Sequence, residues 1–324
     1  NLEAVRYTLY TGEPVLTGFM RMRPGSRVWG VFYALAGFSQ LGMPAAAAGC
    51  AGVAFAIGQG RAPADGDASI VAWITVALVV LAAVVLASGK KVERLLERLS
   101  WMMILFIFGF LLWVNFTFVP LNDWGSTLTG FFSFGVIPAK VDFVMLAVFA
   151  ALAGSGGIGN LAISNWFRDK GFGMAARTGN MGGVWSTEQT LAPVGRVFPI
   201  NAENLRRWRD WWRYAMIDQS GLWMLGCIVG MFLMVNLASS LFQPGMQISG
   251  VAAGVFQAAE MRKLWEGFWL LALMNGFWIL FSTTLTNIDV LARVIADMAW
   301  AGGAVPEKVP VGRLYGMLLL GFTV

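Results

Sequence analysis

Residues 143–163 read FVMLAVFAALAGSGGIGNLAI, an apolar run of membrane-span length that is interrupted by four glycines and Asn160. Lipid offers no hydrogen-bond partner to free backbone N–H and C=O groups, so loosened backbone in a membrane must be buried in protein or line a watery cavity. Discontinuous helices of this kind hold ion and substrate sites in transporters. The run predicts uncoiled main chain over residues 154–160. The alternative is a glycine-rich helix face packed closely on a neighbour.

The whole chain has the composition of a polytopic membrane protein. Of its 324 residues 57% are hydrophobic and only 13% are charged, and 15 Trp and 24 Phe add more apolar surface than one water-soluble core can bury. The sequence therefore predicts an all-α bundle of membrane helices. The expected spans are Phe32–Phe55, Ile70–Ala87, Trp101–Pro120, the broken Phe143–Ile163, Leu222–Phe242 and Phe268–Leu285, with a seventh beginning at Leu314.

These spans predict a single transmembrane domain over residues 1–324. We expect the chain to be a fragment, because Asn1 is not an initiator Met and Val324 falls within an apolar stretch. Cys50 and Cys227 lie in predicted spans, where a thiol acts as a small hydrophobe, so no disulfide framework is expected. Histidine is absent, which leaves oxygen and sulfur as metal ligands. No cofactor is expected, since the glycine-rich loop segments lack the Gly-Lys-Ser/Thr ending of a phosphate cradle.

Basic residues are distributed unequally between alternate loops. All 23 Lys and Arg residues lie on one side of the predicted spans except Arg61, Lys140, Arg262 and Lys263. Because basic residues near span ends are retained in the cytoplasm, residues 1–27 and the loop 166–218 are predicted to be cytoplasmic. We expect an integral protein of a bacterial inner membrane. The net charge of +5 follows from this bias and requires no nucleic-acid partner.

The segment Asn204–Tyr214 interleaves Arg with Trp just ahead of a predicted span. Such a segment is typical of a helix in the headgroup layer that attracts anionic lipid. A regulatory or partner-binding role is the alternative. The lipid bilayer is therefore an expected partner of the chain.

Four segments, in order, resemble the natural resistance-associated macrophage protein (Nramp) family of divalent-metal transporters. Arg6–Glu13 is similar to the end of the second family helix, and Gly157-Ile158-Gly159-Asn160 occupies the place of the Met-Pro-His-Asn core of the sixth. Met234-Val235-Asn236 is similar to the seventh helix and Leu270–Thr286 to the eighth. The resemblance implies a leucine-transporter-like inverted repeat, of which this chain lacks the first helix and the C-terminal helices.

The resemblance also implies a transported divalent cation as substrate. Its pathway is expected to include Gly154, Ser155, Gly156, Gly157, Asn160, Asn236 and Thr283. The metal ligands would be the Asn160 side chain and the main-chain carbonyls of Gly154 and Gly157. Gly157 replaces the family's Met, so the thioether is absent, and oxygen donors favour Mg²⁺ or Mn²⁺ over soft metals. Asn236 is equally consistent with interhelical hydrogen bonding.

Charged residues are expected outside the membrane core. None of the predicted complete spans contains Asp or Glu, so weak or absent proton coupling is expected. Asp289, Arg293 and Asp297 share one helical face and predict an intrahelical ion-pair ladder, with an inner gate as the alternative. The triplet 168–170 predicts an interfacial anchor or, alternatively, a cytoplasmic gate.

The leading hypothesis is a secondary transporter or facilitator of divalent cations. An amino-acid or other organic solute transporter of the same fold is the second hypothesis, because half-helix N-termini bind carboxylates. A non-transporting membrane enzyme or sensor is the third. No base paired with a nucleophile is found, so enzymatic activity is not expected.

Overall fold

The computed structural model describes residues 1–41, 45–88, 92–136, 141–152, 156–181, 184, 191–192, 194–242, 253–306 and 308–322. Within these residues the protein is helical and contains no β-strand. The helices are α1 (Leu2–Thr11), α2 (Val15–Phe19), α3 (Ser26–Leu41), α4 (Ala45–Gln59), α5 (Ala68–Ser88), α6 (Val92–Phe118), α7 (Leu121–Phe131), α8 (Phe143–Leu152), α9 (Gly157–Asp169), α10 (Ala202–Met216), α11 (Met224–Leu241), α12 (Ala253–Arg262), α13 (Phe268–Ala301) and α14 (Val311–Gly321).

Five helical stretches of the described chain are long and apolar enough to cross a membrane. They are Ser26–Gln59, which includes α3 and α4, and Asp65–Ser88, Glu97–Phe118, Ala202–Leu241 and Phe268–Ala301. A shorter apolar helix, α14, covers the start of the predicted seventh span. The predicted class, an all-α membrane helix bundle, is confirmed at this level.

Helix α13 is the centre of the bundle and is longer than its predicted span. It continues past Leu285 to Ala301, for 34 residues in all, which corresponds to about 51 Å at the helical rise per residue. A bilayer core is only about 30 Å thick, so one end of α13 extends beyond it. Helix α13 packs on α2, α3, α4, α5, α6, α9, α12 and α14. Asp289 and Asp297 belong to α13 but follow the predicted span, in the part of the helix beyond Leu285.

The Arg- and Trp-rich segment is continuous with a span. The segment Asn204–Tyr214 was expected in the headgroup layer just ahead of a span, and it lies in α10, which leads through a π-helical turn, Ile217–Trp223, directly into α11. Asn201 caps α10 by accepting a hydrogen bond from the N–H of Asn204 at 2.8 Å. Since no proline or chain reversal separates the two segments, the cationic helix is rigidly connected to the membrane span.

Candidate functional site: a helix junction and a buried charge cluster

The predicted interruption of the 143–163 run is present at Gly156. Helix α8 ends at Leu152 and α9 begins at Gly157, while Gly156 has φ +63° and ψ 155°. Glycine is required there because a Cβ makes this region of φ/ψ space strained. Uncoiled main chain as far as Asn160 was expected, and this is wrong: Gly157–Asn160 form the first turn of α9, and the Asn160 N–H donates to the Gly156 carbonyl at 3.1 Å.

A side chain from another helix caps the start of α9. Gln40, on α3, accepts a hydrogen bond from the Ile158 N–H at 3.0 Å through Oε1. A Cβ at Gly157 would lie 2.5 Å from this oxygen, so a larger residue would have to displace the Gln40 amide. The first N–H groups of a helix have no intrahelical acceptor, and Gln40 supplies one of them with an acceptor. The sequence analysis named Gly157 for its place in the resemblance to the Nramp family and assigned no role to Gln40.

The predicted ligands at the junction are only partly placed. Gly154 and Ser155 lie outside the described residues. Gly157 is the first residue of α9, and a carbonyl at that position accepts a hydrogen bond from the N–H four residues later. The Gly157 carbonyl is therefore not available as a metal ligand. Asn160 is half-buried, and its side-chain amide has no hydrogen-bond partner in the described part of the chain. Asn160 is thus the one predicted side-chain ligand that is free to bind a solute.

The structure places Asn236 in an interhelical hydrogen bond. Its Nδ2 donates to Oδ1 of Asn115, on α6, at 2.9 Å. Asn115 in turn donates to the carbonyls of Leu111 and Leu233, at 2.9 and 3.1 Å. Both amides are fully buried. This geometry favours interhelical hydrogen bonding as the role of Asn236, rather than a place on the ion pathway. The sequence analysis missed Asn115, although Asn115 is the single amide in its predicted span.

Thr283 is exposed on the surface of α13. Its hydroxyl donates to the carbonyl of Ile279 at 2.9 Å, so its hydrogen-bonding capacity is used within its own helix. Ser282 donates to the same carbonyl at 2.9 Å. Neither Asn236 nor Thr283 makes a hydrogen bond to the described residues of the junction at Gly156.

In the part of the chain that the structure describes, five charged side chains from α9 and α13 form one buried group, which we call the buried charge cluster. Each member is at most 4% exposed. The five residues are Arg168, Asp169, Asp289, Arg293 and Asp297. The predicted ladder within α13 is therefore only part of a larger interhelical network. The predicted interfacial anchor at residues 168–170 is wrong for its first two residues, because both are enclosed by protein.

Two arginines connect the three carboxylates. Arg293 contacts both oxygens of Asp289, at 2.8 and 3.1 Å, and also contacts Asp169. Arg168 donates to Asp169 and to Asp297, at 2.8 Å each. Fork-like guanidinium contacts of this kind are the strongest hydrogen bonds available to a carboxylate. The cluster consequently fixes the C-terminal half of α9 against α13.

Neutral donors supply further hydrogen bonds to all three carboxylates of the cluster. Tyr315, on α14, donates to Asp289 at 2.8 Å, and the Trp166 indole donates to the same carboxylate at 3.2 Å. The Met181 N–H donates to Asp169 at 2.9 Å. Asn165 donates to Asp297. Sequence reasoning found the three charges of α13 by their spacing, but nothing in the sequence pairs them with α9 or α14.

A second network joins the start of the chain to the loop that follows α9. Glu13, 5% exposed, accepts from Tyr7, from Arg21 and, at 2.8 Å, from the Gly195 N–H. Burial, with a smaller contribution from Glu13, raises the pKa of Tyr7 to about 12. Gly12, with φ +82°, ends α1, and its carbonyl accepts from Thr178 at 2.7 Å. The loop is thereby held against α1.

A cationic cavity of about 830 Å³ lies between this loop and α10. Arg177, Arg196 and Arg207 line it together with the aromatic rings of Phe198, Trp208 and Trp211. All three arginines are exposed, and Arg207 pairs with Glu203 on its own helix. Arg177 and Arg196 have no acidic partner among the described residues. The cavity therefore presents net positive charge.

Comparison with known proteins identifies no relative. No protein-family model, no curated protein and no solved structure matches the chain. Within the described residues there is also no group of three or more His, Cys, Asp or Glu side chains that could hold a metal ion. The similarity to the Nramp family stays a prediction.

Proposed function

We propose that this protein is a secondary transporter or facilitator of divalent cations with a leucine-transporter-like inverted repeat. The single observation that carries the proposal is the helix break at Gly156, which is capped by Gln40 from α3 and followed one turn later by the free amide of Asn160. A break of this kind opens main-chain groups to a solute inside a membrane bundle. The substrate would meet the α8–α9 junction, with Asn160 as an oxygen ligand.

Oxygen ligands select hard cations. Carbonyl, amide and carboxylate oxygens suit Mg²⁺ and Mn²⁺, whereas thioether and thiolate ligands select softer metals. Asn160 is neutral, so the carboxylate that a divalent ion needs would come from residues beyond those described. The buried charge cluster lies at the other end of α9, where its arginine–carboxylate pairs would hold the cytoplasmic side closed. We therefore assign it the role of inner gate.

Uptake of Mn²⁺ and Mg²⁺ into liposomes containing the protein tests the proposal. Asn160→Ala is expected to weaken the apparent affinity about tenfold, the equivalent of about 1.4 kcal/mol for one lost ligand. Asn122→Ala is the matched control, since Asn122 is exposed on α7. Equal uptake by Asn160→Ala and the control would remove Asn160 from the site. Uptake no faster than in empty liposomes would overturn the transport function itself.

An organic anion is the second candidate substrate. The N-terminus of α9 faces the junction, and the partial positive charge of a helix N-terminus attracts carboxylates. Amino acids and carboxylates added in excess should then compete with cation uptake or be taken up themselves. We propose no catalytic reaction and no cofactor.

The lipid bilayer is the proposed partner of α10. The cationic cavity and the exposed apolar loop residues Val197 and Ile200 favour a headgroup-layer location for this region. Replacing Arg177 and Arg196 with Gln should weaken retention of anionic phospholipid in the purified protein, while Arg6→Gln, outside this cavity, should not. The cytoplasmic location of this surface and the bacterial inner membrane remain proposals that follow from the loop charges.

A further inference from the structure

The buried charge cluster is not electrically balanced. Three carboxylates face two guanidinium groups, and all five side chains are at most 4% exposed. Lys170, two residues after Arg168, is exposed and pairs with Glu97 at 3.5 Å. Burying an uncompensated charge is costly enough that the group takes up a neutralising ion instead. One negative charge of the cluster therefore needs a partner that the described residues do not supply.

The three carboxylates differ in how many charged donors they receive. Asp289 accepts two hydrogen bonds from Arg293, and two more from Tyr315 and Trp166. Asp169 accepts from both arginines and from a backbone N–H. Among the described residues, Asp297 accepts from one guanidinium nitrogen, and its second oxygen accepts from the amide of Asn165 alone. The uncompensated charge is thus concentrated at Asp297.

Unused polar atoms surround this carboxylate. Asn165 is 1% exposed, and its Oδ1 has no hydrogen-bond partner, although its Nδ2 contacts Asp297. Arg168, which donates to Asp297 through Nη1, likewise has a buried Nη2 without a hydrogen-bond partner. The two ends of an amide are assigned from the hydrogen-bond network, so rotation of the Asn165 amide by half a turn presents its oxygen to Asp297. That oxygen then accepts a hydrogen bond from a protonated carboxyl group.

We propose that Asp297 binds one proton, which makes the buried charge cluster neutral while α9 and α13 are docked. The proton is taken from water, adds to Oδ2 of Asp297 and is shared with the Asn165 amide; no other bond changes. Such a proton site differs from the expectation of weak or absent proton coupling, which considered only the predicted spans. If the proposed transport function holds, Asp297 is the group through which proton release and opening of the cytoplasmic end would be coupled.

Infrared spectroscopy of the protein labelled with ¹³C-carboxyl aspartate tests this inference without any transport measurement. At neutral pH the wild type is expected to show a protonated-carboxyl C=O band that shifts with the ¹³C label and in D₂O. Asp297→Asn should abolish the band, while Asp65→Asn, which removes an exposed carboxylate, should leave it unchanged. Titration upward in pH should remove the band together with a loss of thermal stability.

Three results would overturn the inference. Absence of the band in the labelled wild type means that no aspartate is protonated, and this reading does not depend on the folding of any variant. Persistence of the band in Asp297→Asn places the proton elsewhere. If the wild type lacks the band and its melting temperature rises with Na⁺, the cluster holds a metal cation in place of the proton. Failure of cation uptake with the band present would refute the transport function and leave the proton site intact.

Discussion

Replacement of Asp289 by Asn is expected to break the strongest part of the buried charge cluster. Asp289 is fully buried, and its two oxygens receive four hydrogen bonds, two of them from Arg293. Asn keeps the shape and one acceptor oxygen, but it places an NH₂ group against a donor and removes the charge opposite Arg293. Breaking one partner of a buried hydrogen-bonded pair costs about 3–5 kcal/mol; here the cost comes from the lost contacts to Arg293 and the donor placed against a donor, since the net charge can be balanced by release of the Asp297 proton.

Asp169 lowers this cost, since it also contacts Arg293. We therefore expect a loss near the lower limit, about 3 kcal/mol, which is roughly a hundredfold change in the folding equilibrium. Equilibrium unfolding of the protein in mixed micelles, followed by tryptophan fluorescence, measures it.

The matched control is Glu203→Gln, which breaks an ion pair whose side chains are both more than 60% exposed. Exposed pairs of this kind contribute about 0.5 kcal/mol or less. If Asp289→Asn is no more destabilising than Glu203→Gln, the cluster does not hold α9 and α13 together, and the role of inner gate fails with it.

Three further predictions concern other sites. Gly156→Ala places a Cβ at φ +63° and should destabilise the protein by about 1–3 kcal/mol. The control Gly58→Ala, in a helix with open space around it, should be neutral or slightly stabilising. Equal effects of the two variants in the same unfolding assay would show that glycine is not required at position 156. Asn115→Ala leaves the Asn236 amide unpaired and should cost about 1–3 kcal/mol, while Asn115→Leu combined with Asn236→Leu should recover part of that loss in a double-mutant cycle. Because the pKa of Tyr7 is raised from 10.0 to about 12, the folded state binds the phenol proton more tightly than the unfolded state. The resulting contribution to stability is complete below pH 10 and is lost as the pH rises through about 12. A Tyr7→Phe variant with the same decline of stability at high pH would disprove this contribution of Tyr7.

Composition, hydropathy and local glycine content were sufficient to predict the class of protein and the position of the helix break. The hydrophobic runs at residues 70–87 and 101–120 correspond to α5 and to most of α6, because a bilayer requires long apolar helices irrespective of their neighbours. The break at Gly156 could also be predicted from a local property, because clustered glycines weaken a helix wherever they occur in the sequence.

Tertiary structure decided what the polar residues do. Spacing placed Asp289, Arg293 and Asp297 on one face, but only packing against α9 brought Arg168 and Asp169 to them and buried all five. Likewise, Asn236 is paired by Asn115 and the start of α9 is capped by Gln40, each more than a hundred residues away in sequence. Hydrophobic periodicity is a local signal that acts within one helix, whereas hydrogen bonds and ion pairs depend on which helices meet. For that reason the sequence determined which segments are long and apolar enough to cross a membrane, and the packing of α9 on α13 determined where the buried charges lie.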